Sequence, residues 1–465
     1  MKENIIQPMI GLFVAERNAS SLNELLSSWP PAEIAELIDE TEDKEERLFI
    51  YESLSHDIAA HTFEYLELQY QKEILEELPY DRIPEILNEM SADDRTGLLE
   101  ELPPHTVSQL LAVLSPQERT IALALLGHPE NSVGRLMTPD YTAVHADWTI
   151  QQTLDYIRMH GSNSETLNVI YVIDEKGYLI DDIRVREFLL ADPSLKVEDI
   201  MDHKYQSLMV DDDQEEVVAK FKNLNRVALP VTDKDGYLLG IVTVDDVLEV
   251  VEEENTEDIQ KLGAVEVFDE PYMNISFALL IRKRAGWLVI LFVGEMFTAT
   301  AMGFFEDEIA KAVVLALFVP LIISSGGNTG SQAATLIIRA LALGEITLRD
   351  WWKIMRREIL AGLALGTILG FIGFCRIAFW HKFVPMDGKP AYGEHWLLVA
   401  LTVSISLVGV VLWGTLSGSM LPLVLKKCKL DPATSSAPFV ATLVDVTGLI
   451  IYFTIAMLIM RGTLL

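Results

Sequence analysis

Residues 438–460 read PFVATLVDVTGLIIYFTIAMLIM, an apolar run long enough to cross a bilayer as one helix. Asp445 lies near its middle. A carboxylate at the centre of a membrane helix costs about 2.5–3.5 kcal/mol on insertion scales, so it turns toward protein or water rather than lipid. Thr442 and Gly448 flank it at three-residue spacing and Ala441 lies four residues before it, so these small or polar neighbours share its helical face. The run reads as the wall of a cation pathway. The alternative is an acid protonated or hydrogen-bonded within helix packing.

Four further apolar stretches precede it, at about 285–305, 309–325, 359–380 and 396–425. A membrane domain of five helices is therefore expected over 276–465. Basic residues flank alternate ends: Arg282, Lys283 and Arg284; then Arg339, Arg349, Lys353, Arg356 and Arg357; then Lys426, Lys427 and Lys429. The opposite side has Arg376, Lys382, Lys389 and Arg461, so the positive-inside rule puts the N-terminus in the cytoplasm and the C-terminus outside. Five spans enclose a pore with difficulty, which points to a homodimer with the pathway at or near its axis. Between the second and third spans, Gly326, Gly327 and Gly330 would permit sharp turns with free carbonyls, beside the oxygen donors Asn328, Gln332 and Thr335. Pore lining and a close-packed glycine turn are both open here. Asp431, next to Pro432, sits just before the fifth span at the expected cytoplasmic mouth, and Glu295 is a second intramembrane acid with packing or pathway roles.

Charge divides the 465-residue chain. The part before about residue 280 supplies most of the net charge of −33, and the rest is apolar. Such acidity argues against nucleic acid and anionic lipid as partners and suits cations. Cys375 and Cys428 are the two cysteines, too few for a disulfide framework or a thiolate metal cluster. The opening MKENIIQPMIGLF lacks a sustained apolar core and a small-residue cleavage site, so a cytosolic N-terminus without a signal peptide is expected.

Residues 1–132 read as an acidic all-α domain of short amphipathic helices, with SLNELLSSW, PAEIAELIDE, YQKEILEELP, RIPEILNEM and SADDRTGLLEELP spaced apolar every three or four residues. Pro79, Pro103 and Pro104 punctuate them, and the loose repeat LxELPxxxxxxIL points to stacked helical hairpins in a superhelix. Asp93 and Asp94 read as part of a solvated face, with cation binding the alternative.

From about 136 to 253 β-branched runs alternate with helices, and a repeat stands out. IYVIDEKGYLIDDIRVREFLL (170–190) aligns with LPVTDKDGYLLGIVTVDDVLE (229–249), each with two strands about a turn at Gly177 or Gly236, then a helix. This resembles an α/β tandem pair of CBS modules, here 133–198 and 199–253, with Leu136-Met137-Thr138-Pro139 and Ile200-Met201 as entry strings. The resemblance implies regulation and often adenine-nucleotide binding. The second copy has the ribose-type pattern Thr243-x-x-Asp246 where the first has Arg184-x-x-Glu187, leaving at most one ATP site.

A long connecting helix is expected over 245–275. Its start, DDVLEVVEEENTED (245–258), holds eight acids and no base. Asp246, Glu249, Glu253 and Glu257 fall on one helical face, with Glu254 and Asp258 beside them. Like charges at that spacing each cost a few tenths of a kcal/mol, roughly, and nothing in the stretch neutralises them. Carboxylate oxygens are the ligands that Mg²⁺ and Ca²⁺ prefer, so a divalent-cation sensor is favoured over a merely solvated helix.

Together, PLIISSGGNTGSQAATLIIRALALGEI (320–346), FVATLVDVTGLIIYF (439–453) and VTVDDVLEVVEEENTEDIQKLGAV (242–265) are similar to the MgtE family of bacterial Mg²⁺ channels, and the similarity covers nearly the whole multidomain chain. It implies a homodimeric, Mg²⁺-selective channel of the cytoplasmic membrane, closed by high cytosolic Mg²⁺. It makes Asp445 the central pore aspartate and Asp431 a pore acid on the cytoplasmic side. Asp246, Glu254, Glu257 and Asp258 match regulatory Mg²⁺ ligands, as do Asp93 and, in the second CBS module, Asp213 and Glu215. Glu249 replaces an aspartate; Asn225 stands where an aspartate is expected and His61 where a glutamate is.

The expected mechanism is an electrostatic switch. Acidic linkers of two subunits repel when Mg²⁺ is scarce, by about 0.5 kcal/mol for each pair of charges about 8 Å apart in water, and bound Mg²⁺ draws them together. Two Asp445 side chains would hold a still-hydrated Mg²⁺ through outer-shell hydrogen bonds. The competing readings are an ion-coupled divalent-cation carrier and a non-conducting membrane sensor. No P-loop, nucleophile elbow or metal-histidine motif points to an enzyme.

Overall fold

The structure, a computed structural model, describes residues 3–268, 272, 273, 275–384 and 392–463; Met1, Lys2 and Lys389 lie outside the described residues. It divides into two compact units, Met1–Glu252 and Glu253–Leu465.

In the first unit, ten helices of seven to thirteen residues run from Glu3 to Leu125 among the described residues. The punctuation is chemical. Asn18, Asp43 and Ser115 accept backbone N–H groups at helix starts, and Pro31, Pro104 and Pro116 occupy first-turn positions where no N–H is needed. The apolar stripes converge on Leu22, Ile34, Ile50, Phe63, Ile86, Leu99 and Leu110, all buried. Arg95 is fully buried too; its two terminal nitrogens donate to the carbonyls of Leu87 and Met90 and to Glu118 at 2.5 Å, while its Nε has no partner among the described residues.

Two three-stranded sheets follow. In the first, β1 (Ala143–His145) pairs parallel with β2 (Val169–Ile173), which pairs antiparallel with β3 (Leu179–Arg184). β4 (Leu208–Met209), β5 (Ala228–Thr232) and β6 (Leu238–Thr243) repeat that order. The hairpin turns place Gly177 and Gly236 at φ +90°, where a side chain would be strained. They also face each other: Leu179 N donates to Gly236 O at 3.0 Å and Leu238 N to Gly177 O at 3.1 Å. The sequence repeat is thus an approximate two-fold in space.

α1 (Val244–Leu262) leaves β6 directly and ends well short of residue 275, where the connecting helix was expected to stop. Gly263 and Ala264 end it; Ala264 takes φ 56°, and its N–H turns back to Lys261 O.

Five helices of the second unit are long and apolar enough to cross a membrane. We label them α2 (Phe277–Phe304), α3 (Val319–Ala342), α4 (Trp351–Phe383), α5 (Trp396–Lys427) and α6 (Ala437–Met460). α4 packs along α5, α5 along α3 and α6, and α2 along α6. The expected glycine turn after a second span at 309–325 is corrected. Residues 319–342 form one helix through Gly326, Gly327 and Gly330, none of which has positive φ.

The glycines instead let helices touch. A Cβ at Gly418 of α5 would fall on the Gly330 carbonyl of α3, and one at Gly414 on that of Gly326. Gly362, Gly366 and Gly370 of α4, every fourth residue, meet the α5 backbone at Leu412, Val408 and Ser404 in the same way. Overpacking such a contact typically costs about 1–3 kcal/mol. Gly418→Ala is therefore expected to lower the thermal midpoint of the purified protein in detergent. Gly303→Ala, where an added Cβ meets nothing within 4 Å, should leave it unchanged.

Candidate functional site

The described residues present three acidic sites: one in the first unit and two in the second.

In the membrane unit, Asp445 is half-buried on α6, and its Oδ1 is what an added Cβ at Gly327 would meet at 3.5 Å. Ala441 Cα and Cβ lie at the same distance range from that position, so the absence of a side chain at Gly327 leaves room beside the carboxylate. Along α3, Asn328, Gln332 and Thr335 are exposed at i, i+4, i+7 spacing and form a polar stripe at membrane depth. Thr442 is half-buried, and its Oγ1 donates to Pro438 O at 3.0 Å. Of the glycines read as pore lining, Gly326, Gly327 and Gly448 are all buried: Gly326 and Gly448 lie against Val410, Gly326 also against Val444, and Gly327 against Ala441 and Asp445. Glu295 is exposed on α2, and it is the charged neighbour of Asp445.

The second site joins the end of α1 to the turn that starts the fifth span. Asp431 caps that turn, its Oδ1 accepting from Ala433 N at 2.8 Å. Its Oδ2 lies 2.6 Å from Lys261 Nζ, which also pairs with Glu257 one turn earlier on α1. The expectation that no base neutralises the acidic linker held for 245–258 as a string; three residues further on, Lys261 reaches back to it. Burial first, then the charges of Asp431 and Glu254, push the Asp258 carboxyl up to about 6. Glu249 and Glu254 lie on the same helix, α1.

The third site lies in the first unit, between the helical domain and the second CBS module. Asp93 Oδ1 is buried with no hydrogen-bond partner. Burial, and then Asp246 and Asp94, hold this carboxyl well above the usual range. Asp246 is raised to about 7, by burial first; hydrogen bonds to its Oδ2 from Thr243 N (2.9 Å) and Thr243 Oγ1 (2.7 Å) oppose the shift, and Asp245 and Asp94 add to it. The Thr243-x-x-Asp246 pattern read as a ribose site is thus also a helix cap.

Two acids here, Glu165 and Glu64, escaped sequence reading, and Asp94, read with Asp93 as a solvated face, joins them half-buried. Glu165 is pushed up to about 7 by burial and then by Asp93 and Asp245. Asp94 accepts from Ser91 Oγ at 2.6 Å. Glu64 accepts from Ser91 N at 2.8 Å and lies 3.3 Å from His61 Nδ1. Glu64 stands one helical turn after His61, so a carboxylate remains near where the family pattern expects one. Only an i+3 search from position 61 could have found it.

The remaining expected ligands lie apart. Asp213 is exposed and caps the helix Gln214–Leu224, its Oδ1 accepting from Glu215 N at 2.9 Å. Asn225 ends the same helix in the left-handed region at φ 53°, a position that asparagine tolerates well. Among the described residues, no three His, Cys, Asp or Glu side chains are close enough to cage a metal within one chain.

Comparison with known proteins agrees with this layout. A family model described as divalent cation transporter matches residues 319–455, one for the MgtE intracellular N domain matches 29–131, and one for the CBS domain matches 197–253. The chain is 42% identical over 339 residues to the magnesium transporter MgtE of Thermus thermophilus, covering 73% of this chain and 72% of that one. It is 30% identical over 335 residues to the magnesium transporter MgtE of Bacillus subtilis, covering 71% and 70%. Among solved structures, it is similar to the cytosolic domain of the Mg²⁺ channel MgtE in complex with ATP, at 36% identity and a TM-score of 0.50, covering 52% of this chain and 98% of that one. The soluble part of a magnesium transporter matches at 27% identity and the same TM-score of 0.50, covering 53% and 97%. With the N domain, CBS pair and five apolar helices all in place, the chain belongs to the MgtE family of divalent cation transporters, a family of transporters and channels rather than enzymes.

Proposed function

We propose that the protein is a homodimeric Mg²⁺ channel of the cytoplasmic membrane, with its N-terminus in the cytoplasm, closed by Mg²⁺ on its acidic cytosolic segments. One observation carries this reading. Asn328, Gln332 and Thr335 are exposed on the surface of a single chain at membrane depth, with Asp445 half-buried beside Gly327 of the same helix. Polar groups there need protein or water against them. A second copy related by a two-fold supplies both, enclosing a wet path between two such stripes. Gly327, Ala441 and Thr442 then form its small-residue wall, Asp431 its cytoplasmic entrance, and membrane lipid covers the remaining apolar surface.

Mg²⁺ is the substrate that this chemistry suits. It holds its waters tightly, so a pair of Asp445 carboxylates with amide and hydroxyl oxygens can bind the hydrated ion without stripping it. For closure, the donors are again oxygens. Asp93 and Asp246 in one site, and Glu254, Glu257, Asp258 and Asp431 in the other, offer one or two carboxylates per ion, the number that Mg²⁺ uses. Asp213, Glu215 and Glu249 supply further acids, and Glu64 stands in for the acid missing at His61. The CBS pair, with Thr243 and Asp246 at its second module, is a site for ATP; the similarity to a relative solved with ATP supports this.

Three outcomes test the reading. Mg²⁺ flux into proteoliposomes should fall as Mg²⁺ on the cytosolic face rises from nil to about ten millimolar, a range that spans weak carboxylate sites. Asp445→Asn should abolish it; a mutant that conducts like wild type makes Asp445 a packing residue. Strict proton or sodium dependence would favour a coupled carrier.

Neutralising Asp246, Glu254, Glu257 and Asp258 together should weaken Mg²⁺-dependent protection of the linker from proteolysis. Unchanged protection would remove the linker from sensing.

Protons should compete with the metal. Carboxyls raised in the folded state stabilise it fully below about pH 4 and lose that contribution as pH rises through about 7, the value reached by Asp246 and Glu165. Chelator-treated protein should therefore melt at a lower temperature at pH 8 than at pH 5.5, to about half a unit in either buffer. Ten millimolar Mg²⁺, roughly the upper end for weak carboxylate sites, should raise the midpoint more at the higher pH. An equal rise at both would sink the competition.

A further inference from the structure

The connecting helix carries its own cation where it meets the membrane unit. Lys261 Nζ sits 2.6 Å from Asp431 Oδ2 and also pairs with Glu257. Since Asp431 Oδ1 is taken by Ala433 N, Oδ2 is the oxygen left for a cation, and the ammonium is on it. Glu257 and Lys261 stand at i, i+4 with the acid first, the favourable order on a helix. The next residue, Leu262, packs into the apolar core of the membrane unit, which holds the lysine in register. Lys261 itself is only 25% exposed.

We propose that Lys261 is a tethered counter-ion that competes with the regulatory divalent cation for Asp431 and Glu257, and so sets the Mg²⁺ concentration at which the linker closes. The proposal rests on closure by Mg²⁺. The physical basis is simple. An ammonium on a four-carbon stem is a compact point charge held at high local concentration, and its three donors satisfy carboxylates without metal. It ties the end of α1 to the entrance of the fifth span when Mg²⁺ is absent. A hydrated divalent ion must displace it or share its ligands, so the charge of the lysine raises the concentration of Mg²⁺ required. Removing that charge leaves the carboxylates uncompensated and more avid for the metal. Because the groups are a quarter to a third exposed, the effect is moderate, about fivefold.

The test is a Mg²⁺ titration of full-length protein in detergent, following proteolysis of the linker, for wild type, Lys261→Gln and Lys261→Arg. Half-protection is expected at about fivefold lower Mg²⁺ for Lys261→Gln, with cleavage faster than wild type when Mg²⁺ is absent; Lys261→Arg should stay within about twofold of wild type. In an Asp431→Asn background the Lys261→Gln shift should shrink. A responsive wild-type curve that Lys261→Gln leaves unmoved, or moves to higher Mg²⁺, overturns the proposal alone. A shift that persists in full with Asp431→Asn also overturns it. A wild-type curve that ignores Mg²⁺ overturns closure by Mg²⁺, and the proposal with it.

Discussion

A carboxylate that loses water must gain a positive partner, a proton or a donor, and much of this protein follows from that constraint. Its sixty-nine acids face thirty-six lysines and arginines, so most cannot be paired within the chain. On an open surface the excess is harmless. Where acids are half-buried together, as at Asp93 and Asp246, burial and mutual repulsion hold their carboxyls above the usual range and favour the proton. The buried Oδ1 of Asp93 has no donor on it among the described residues.

The same constraint takes two other forms in the second unit. At the end of α1 it is relieved from within, by Lys261 between Glu257 and Asp431. In the membrane helices it is relieved by arrangement. Asp445 lies on a face where Gly327 offers no side chain, next to the exposed amides and hydroxyl of α3. A carboxylate in such a place favours a cation that brings its own water, because no ring of ligands is present to replace that water. The three sites thus differ in what stands beside the carboxylates: other buried acids, a lysine, and a glycine with an exposed polar stripe.

Helix packing makes the membrane face possible. Gly330 and Gly418, and Gly326 and Gly414, bring α3 and α5 into backbone contact, while Gly362, Gly366 and Gly370 do the same for α4 against α5. Lipid gives helices no hydrophobic reason to associate, so close van der Waals contact must do it. With its glycine face buried in this way, α3 has its amide face left outward. A side chain at Gly418 would therefore push α3 away from α5 at Gly330.

Much of this was legible in the residues themselves. Apolar length gave the five spans, the period of the helical domain its short helices, and the 170–190 and 229–249 repeat its two sheets, because each depends on local pattern. Asp445 and the acidic face of α1 were visible for the same reason: a charge in an apolar run, and acids in helical register. The glycines of α3 were misread as a turn, since glycine is equally the residue for a bend and for close approach, and only a neighbouring helix decides between them. Lys261 and Asp431 are 170 residues apart in the chain, and Glu64, Asp93, Glu165 and Asp246 come from different elements. No periodicity links them. The sequence by itself determined which groups are acidic and which segments cross the membrane; which acids meet, and what neutralises them, was decided by the tertiary structure, because charge compensation acts through distance in space.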